Sequence, residues 1–174
     1  MQAFVVCLLF TSFSLQAQEE GIWNTLLAIH KTEKAVETPK KVFAVANGVL
    51  YSVGKEAPHE AKIFDRISGL SDTSVSSIAY SEQLKSLVIY YASGNIDILD
   101  EAGRVTNVPA LKDNIDLIDK TLNRLLIVGN RAYLAGGFGL SVLDVAEARI
   151  PATYAKGTKV TDVAKLDNDR LLML

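Results

Sequence analysis

The sequence predicts an all-β fold: an incomplete β-propeller of about three four-stranded antiparallel blades plus the start of a fourth. Three observations predict it. Segments at residues 42–51, 87–99 and 132–143 share one pattern, an apolar strand, a glycine turn and a second apolar strand. Their turn glycines, Gly48, Gly94 and Gly139, recur about every 45 residues, the length of one propeller blade. The strands before these turns are continuous apolar runs, so both of their faces must be covered, as in blades stacked face to face. A β-sandwich also uses short strands, but it requires no fixed period.

Each element can be justified in turn. Tight hairpins need positive φ, which glycine adopts without steric cost, and Asn47-Gly48 is the strongest of the three hairpin signals. The first blade is expected at residues 35–66, its last strand at 61–66. The second, at 75–108, opens with the strand 75–80. The polar turn 81–86 follows, then the hairpin about Gly94, then an outer strand at 104–108. The third, at 120–154, opens with 122–128, turns at Gly129-Asn130-Arg131 and finishes with 149–154. A fourth unit begins with a strand at 160–163, a turn at 167–170 and a second strand at 171–174. Its hairpin glycine would fall beyond Leu174. A propeller needs about four blades and a closed ring, so residues 19–174 read as the N-terminal part of a propeller domain, a fragment.

Residues 1–18 carry an apolar run from Phe4 to Phe10, followed by small and polar residues and then Glu19-Glu20. The run is shorter than the roughly 20 apolar residues that span a bilayer. A signal peptide cleaved near Ala17 or Gln18 is expected, and with it export. The alternative is a buried N-terminal strand, since no Lys or Arg precedes the run. Residues 21–29, with Trp23, fall outside the repeat and are expected to close the ring against the final blade, or else to form an extra edge on blade one.

The chain is 49% apolar and 22% charged with 4 Pro, which excludes a disordered or collagen-like protein. Eighteen Lys and Arg against 20 Asp and Glu leave a net charge of −2, without the basic excess of a phosphate-neutralising nucleic-acid binder. The only cysteine, Cys7, lies in the leader, so no disulfide, thiol nucleophile or Cys-based zinc site is expected after cleavage.

No residue is assigned a catalytic, cofactor-binding or metal-binding role. Gly136-Gly137-Phe138-Gly139 superficially resembles a phosphate loop, but such loops aim backbone N–H groups from the head of a helix. A strand pattern follows here, so a hairpin turn is expected. His30 and His59 have no acidic or imidazole neighbour at metal-ligand spacing and read as surface residues. Asp113, Asp116 and Asp119 lack the glycine and terminal glutamate of a calcium loop and read as a solvated acidic loop. Asp100 and Asp144 recur after the second hairpin strand of consecutive blades, which suggests turn capping.

Gly69-Leu70-Ser71-Asp72, followed by Val75 and Ile78, resembles the opening signature of two-component-regulator propeller blades. Four further pieces accompany it: Trp23, residues 91–99, Ala132-Tyr133-Leu134-Ala135 leading to Phe138-Gly139, and Thr153-Tyr154 with Gly157. Together they resemble the N-terminal β-propeller of PorZ-type proteins of the type IX secretion system, over residues 21–174. The resemblance implies a non-enzymatic, exported component of Bacteroidetes-type bacteria without a cofactor. Such proteins act with a sortase-like partner at the cell surface, where they help attach secreted proteins to anionic lipopolysaccharide. Lipopolysaccharide contact would use regions absent from this chain. The alternative is the periplasmic sensor propeller of a hybrid two-component regulator. Blades of that family carry a Gly-x-Leu-Trp-Ile-Gly-Thr stretch, and residues 85–91 and 130–135 contain no tryptophan, which favours the PorZ-type reading. A propeller enzyme ranks third, with no carboxylate or histidine cluster to support it.

Overall fold

The structure, a computed structural model, describes residues 31–166 and 170–174. Within them every regular element is a strand. Blade one is β1 (Lys34–Glu37), β2 (Lys41–Ala46), β3 (Val49–Gly54) and β4 (Ala61–Phe64). Blade two is β5 (Val75–Ser81), β6 (Ser86–Tyr91), β7 (Ile96–Asp100) and β8 (Val105–Val108). Blade three is β9 (Leu122–Val128), β10 (Arg131–Gly136), β11 (Gly139–Asp144) and β12 (Arg149–Tyr154). A two-stranded sheet, β13 (Val163–Lys165) and β14 (Leu171–Met173), follows. Each sheet is an antiparallel meander in chain order. The first strands β1, β5, β9 and β13 adjoin in series, the arrangement of blades around a common axis.

Stacking explains the apolar runs. All six residues of β6 are buried. Leu87, Ile89 and Tyr91 point to blade one, where they pack with Val45, Leu50 and Leu70. Val88 and Tyr90 point the other way, into a cluster with Ala132, Leu134, Phe138 and Leu143 of blade three. Successive side chains of a strand face opposite sides, so a strand between two sheets buries the side chains of both its faces, and most of them are apolar. A third cluster, of Ala135, Leu140, Val160 and Val163, joins blade three to the last hairpin.

The three glycines mark the same turn of each blade, the one joining its second and third strands: Gly48 and Gly94 lie in the turn, and Gly139 is the first residue of β11, opposite Gly136. At Asn47-Gly48 both residues have positive φ, 51° and 74°, as a type I′ hairpin demands. Gly139, at φ 108°, is fixed twice over: a Cβ there would sit 2.5 Å from the Tyr154 carbonyl oxygen.

The fourth unit differs from expectation. Its first strand is Val163–Lys165, not 160–163. Val160 instead donates its N–H to the Gly136 carbonyl at 2.9 Å, as Val75 does to Gly48 at 2.8 Å. Val160 thus ties the start of this unit to the blade-three hairpin, while Asp162 and Thr161 extend the pairing opposite β14, the Thr161 N–H donating to the Leu174 carbonyl at 2.6 Å. The outer strands β4 and β8 are also shorter than expected, because Asp65 and Arg66 belong to the connector and Arg104 to a turn. The leader, residues 21–29 with Trp23, His30 and the turn residues 167–169 lie outside the described residues.

Candidate functional site

The seam between blades one and two holds a buried polar node. Asp97, in β7, is 0% exposed on the face turned to blade one. Its Oδ2 accepts from the Ser71 backbone N–H at 2.7 Å and from the Tyr91 hydroxyl at 2.7 Å. Its Oδ1 accepts from Asn107 Nδ2 at 2.8 Å. A buried carboxylate is tolerable when hydrogen bonds replace its water, and three donors do so here. Burial, and then the Asp97 carboxylate, push the Tyr91 phenol far above its ordinary range. The chemistry is structural: the node fastens the connector between blades one and two, where Gly69-Leu70-Ser71-Asp72 runs, to the third strand of blade two.

Asp72 continues this fastening. It accepts from the Thr73 N–H and the Ser93 hydroxyl at 2.8 Å each and from Lys112 Nζ at 3.0 Å, the last reaching from the next connector. That next connector repeats the device. Leu117 is buried as Leu70 is. Asp119 accepts from the Thr121 N–H at 2.8 Å. Thr121 in turn accepts from the Gly137 N–H, as Ser74 accepts from Ala92. Asp119 thus does for blade three what Asp72 does for blade two. Asp113, Asp116 and Asp119 are all exposed in this connector, as a solvated acidic loop would have them; Asp116 pairs with Lys156 at 3.5 Å, and the Asp113 backbone N–H bonds to the Pro109 carbonyl. A Cβ at Gly137 would fall 2.0 Å from Asp119 Oδ2, so the glycine lets the exposed Asp119 carboxylate lie against the hairpin turn. Asp100 and Asp144 cap their turns, on the Arg104 and Glu147 N–H groups at 2.9 and 3.1 Å. His59 is exposed in a loop.

Sequence reasoning missed Asp97. The available signal was an acidic residue inside the otherwise apolar stretch Ile96-Asp97-Ile98-Leu99.

At the other rim of the same seam lies a cleft of about 120 Å³. Its floor is Phe43, Leu87 and Leu99, and Lys40, Lys41, Lys62 and Lys85 stand around it. Lys62 Nζ sits 5.1 Å from the Phe64 ring centroid. Tyr80 also lines the cleft, and its hydroxyl oxygen is buried with no hydrogen-bond partner among the described residues. Burial, then the charges of Glu101 and Glu82, raise the Tyr80 phenol above its ordinary range.

Comparison with known proteins places this architecture. Residues 42–174 match the family described as the type IX secretion system PorZ N-terminal β-propeller domain. The chain belongs to this PorZ propeller family. Among solved structures, the PorZ-family chain is similar to the extracellular domain of a putative hybrid two-component system from B. thetaiotaomicron. The TM-score is 0.65 at 16% identity, over 90% of this chain and 22% of that one. The WD40 repeats of RRP9 (0.61, 16% identity, 82% of this chain and 50% of that one) are also similar. So is Sqt1 of Saccharomyces cerevisiae (0.55, 14% identity, 77% of this chain and 38% of that one). At these identities the likeness is one of fold, and the chain spans half or less of each neighbour. No curated protein matches the sequence.

Proposed function

We propose that this chain is part of an exported, non-enzymatic propeller scaffold of the type IX secretion system. In this reading it works at the outer cell surface with a sortase-like partner, in attaching secreted proteins. The single observation that carries the reading is the family match over residues 42–174. The interblade seams support it, because their carboxylates are spent on backbone N–H groups and turns, the work of a rigid platform. Contact with lipopolysaccharide would use regions outside this chain. The test is deletion of the gene in its host, followed by fractionation of secreted cargo. Cargo should appear free in the medium and be restored to the surface by the full-length gene. Unchanged surface attachment would sink the reading.

The likeness to the B. thetaiotaomicron extracellular domain favours a second reading, a periplasmic sensor propeller of a hybrid regulator. The gene sequence downstream of Leu174 separates the two. A membrane helix with a kinase domain means sensor, and a second propeller with a terminal β domain means secretion component.

A further inference from the structure

The two interblade connectors, residues 65–74 and 109–121, leave the outer strands on the rim that carries the hairpin turns. The end of β4 lies opposite the start of β3, and the end of β8 opposite the start of β7. Lys112 and Asp72 tie the two connectors together there, at 3.0 Å. Their other charges are mostly answered within the chain. Asp65 accepts from the Ser68 N–H at 2.8 Å, and Asp116 pairs with Lys156 at 3.5 Å. Asp119 accepts from the Thr121 N–H at 2.8 Å, and Lys120 donates to the Lys112 carbonyl. Two charges are left, exposed and without an ion pair among the described residues: Arg66 on the first connector and Asp113 on the second. Each stands within two residues of an isoleucine turned out into water. Ile67 is 96% exposed and Ile115 is 92% exposed. Ile118 is exposed as well, but its neighbour Asp119 is already answered.

We propose that this rim pairs with the same rim of a second copy of the chain about a two-fold axis. In an isologous contact one patch meets itself reversed, so a positive apolar unit and a negative apolar unit on one rim satisfy each other twice. Arg66 and Ile67 of one copy lie against Asp113 and Ile115 of the other, and the reverse pair forms across the axis. The isoleucines supply apolar burial, and the charges set the register, as complementary charge does at interfaces. A partner of another kind would need an acid for Arg66 and a base for Asp113 at matched spacing. A second copy carries both by construction. With two isoleucines from each copy the buried area is small, so the dimer belongs with transient interfaces and comes apart on dilution.

Sedimentation velocity on the full-length protein tests this, over roughly 1–200 μM, where small interfaces associate. The protein should pass from monomer to dimer across that range. Arg66→Asp and Asp113→Arg should each weaken the dimer about tenfold or more, because each sets like charges together twice per dimer. The double variant Arg66→Asp/Asp113→Arg restores opposite signs and should return to within about threefold of the wild-type affinity. Ile67→Ser/Ile115→Ser should weaken the dimer about tenfold or more by removing its apolar burial. All four side chains are exposed, so every variant should keep the wild-type urea midpoint when measured as a monomer. A monomer at every concentration, or a dimer indifferent to the single charge reversals, would overturn the proposal. So would a double charge variant no tighter than the weaker single one, or a dimer unmoved by loss of both isoleucines.

Discussion

Tyr91 donates its phenol proton to Asp97 Oδ2 over 2.7 Å, and both residues are 0% exposed. The pair sits where the blade-two hairpin meets the connector arriving from blade one, with the Ser71 N–H as a further donor. A charge in this position is held by donors alone, since no cation pairs with Asp97 among the described residues. Removing the acceptor is therefore worse than removing one donor.

Asp97→Ala leaves the Ser71 N–H, the Tyr91 hydroxyl and an Asn107 amide proton without their acceptor. It should destabilise the full-length protein by about 3 kcal/mol. Tyr91→Phe strips one donor and should cost about 1–2 kcal/mol. Urea denaturation of both variants checks the order, and an equal or larger loss for Tyr91→Phe would show that the node is not organised around the carboxylate.

The blades were legible because their signals are local and periodic. Asn47-Gly48 states its turn in two residues, and the run from Leu87 to Tyr91 states that both faces are buried. Asp97 was not legible in the same way, since its partner Ser71 lies 26 residues earlier and no local pattern links them. Asp119 is an exposed loop residue, as read, but its bond to the Thr121 N–H was hidden among Asp113 and Asp116. Its likeness to Asp72 appears only when Leu117 is set beside Leu70 and Thr121 beside Ser74. The cleft at Tyr80 draws on three turns and two blades, a juxtaposition that stacking alone creates.

Gly139 and Gly103 separate two costs of replacing a glycine at positive φ. Gly103, at φ 85°, has no atom of the described residues within 4 Å of where a Cβ would stand, whereas Gly139 has carbonyl oxygens at 2.5 and 2.7 Å. Gly103→Ala should cost about 1 kcal/mol from backbone strain alone. Gly139→Ala should cost at least about 2 kcal/mol more, because β11 and the Tyr154 segment must separate. Equal midpoints in urea would mean that the β12 end yields freely.

Acid should weaken the turns in a predictable direction. The Arg104 N–H, and then its side chain, hold Asp100 below the usual aspartate range. The Thr121 N–H, and then its side chain, do the same for Asp119. A carboxylate whose folded value is depressed contributes stability that is full above its unfolded value, near 4, and is lost as pH falls through the folded one. Asp100→Asn and Asp119→Asn should each flatten the fall in urea midpoint between about pH 5 and pH 2. An unchanged acid slope in both would place the acid sensitivity elsewhere.

The repeated connector gives the sharpest contrast between neighbouring residues. Leu70 and Leu117 are 4% and 6% exposed, each set into the core between two blades, while Ile118 is 98% exposed. If the two connectors are the same device, Ile118 stands where Ser71 stands in the first, with only a backbone role. Leu117→Ala empties a packed site and should cost about 2–4 kcal/mol, matching Leu70→Ala within about 1 kcal/mol. Ile118→Ser removes a side chain that touches mainly water and should leave stability within about 0.5 kcal/mol. Chemical denaturation of the three variants in the full-length protein checks this. A large loss in Ile118→Ser would mean that this isoleucine is covered in the assembled protein, and an unequal pair of leucines would mean that the seams are not equivalent.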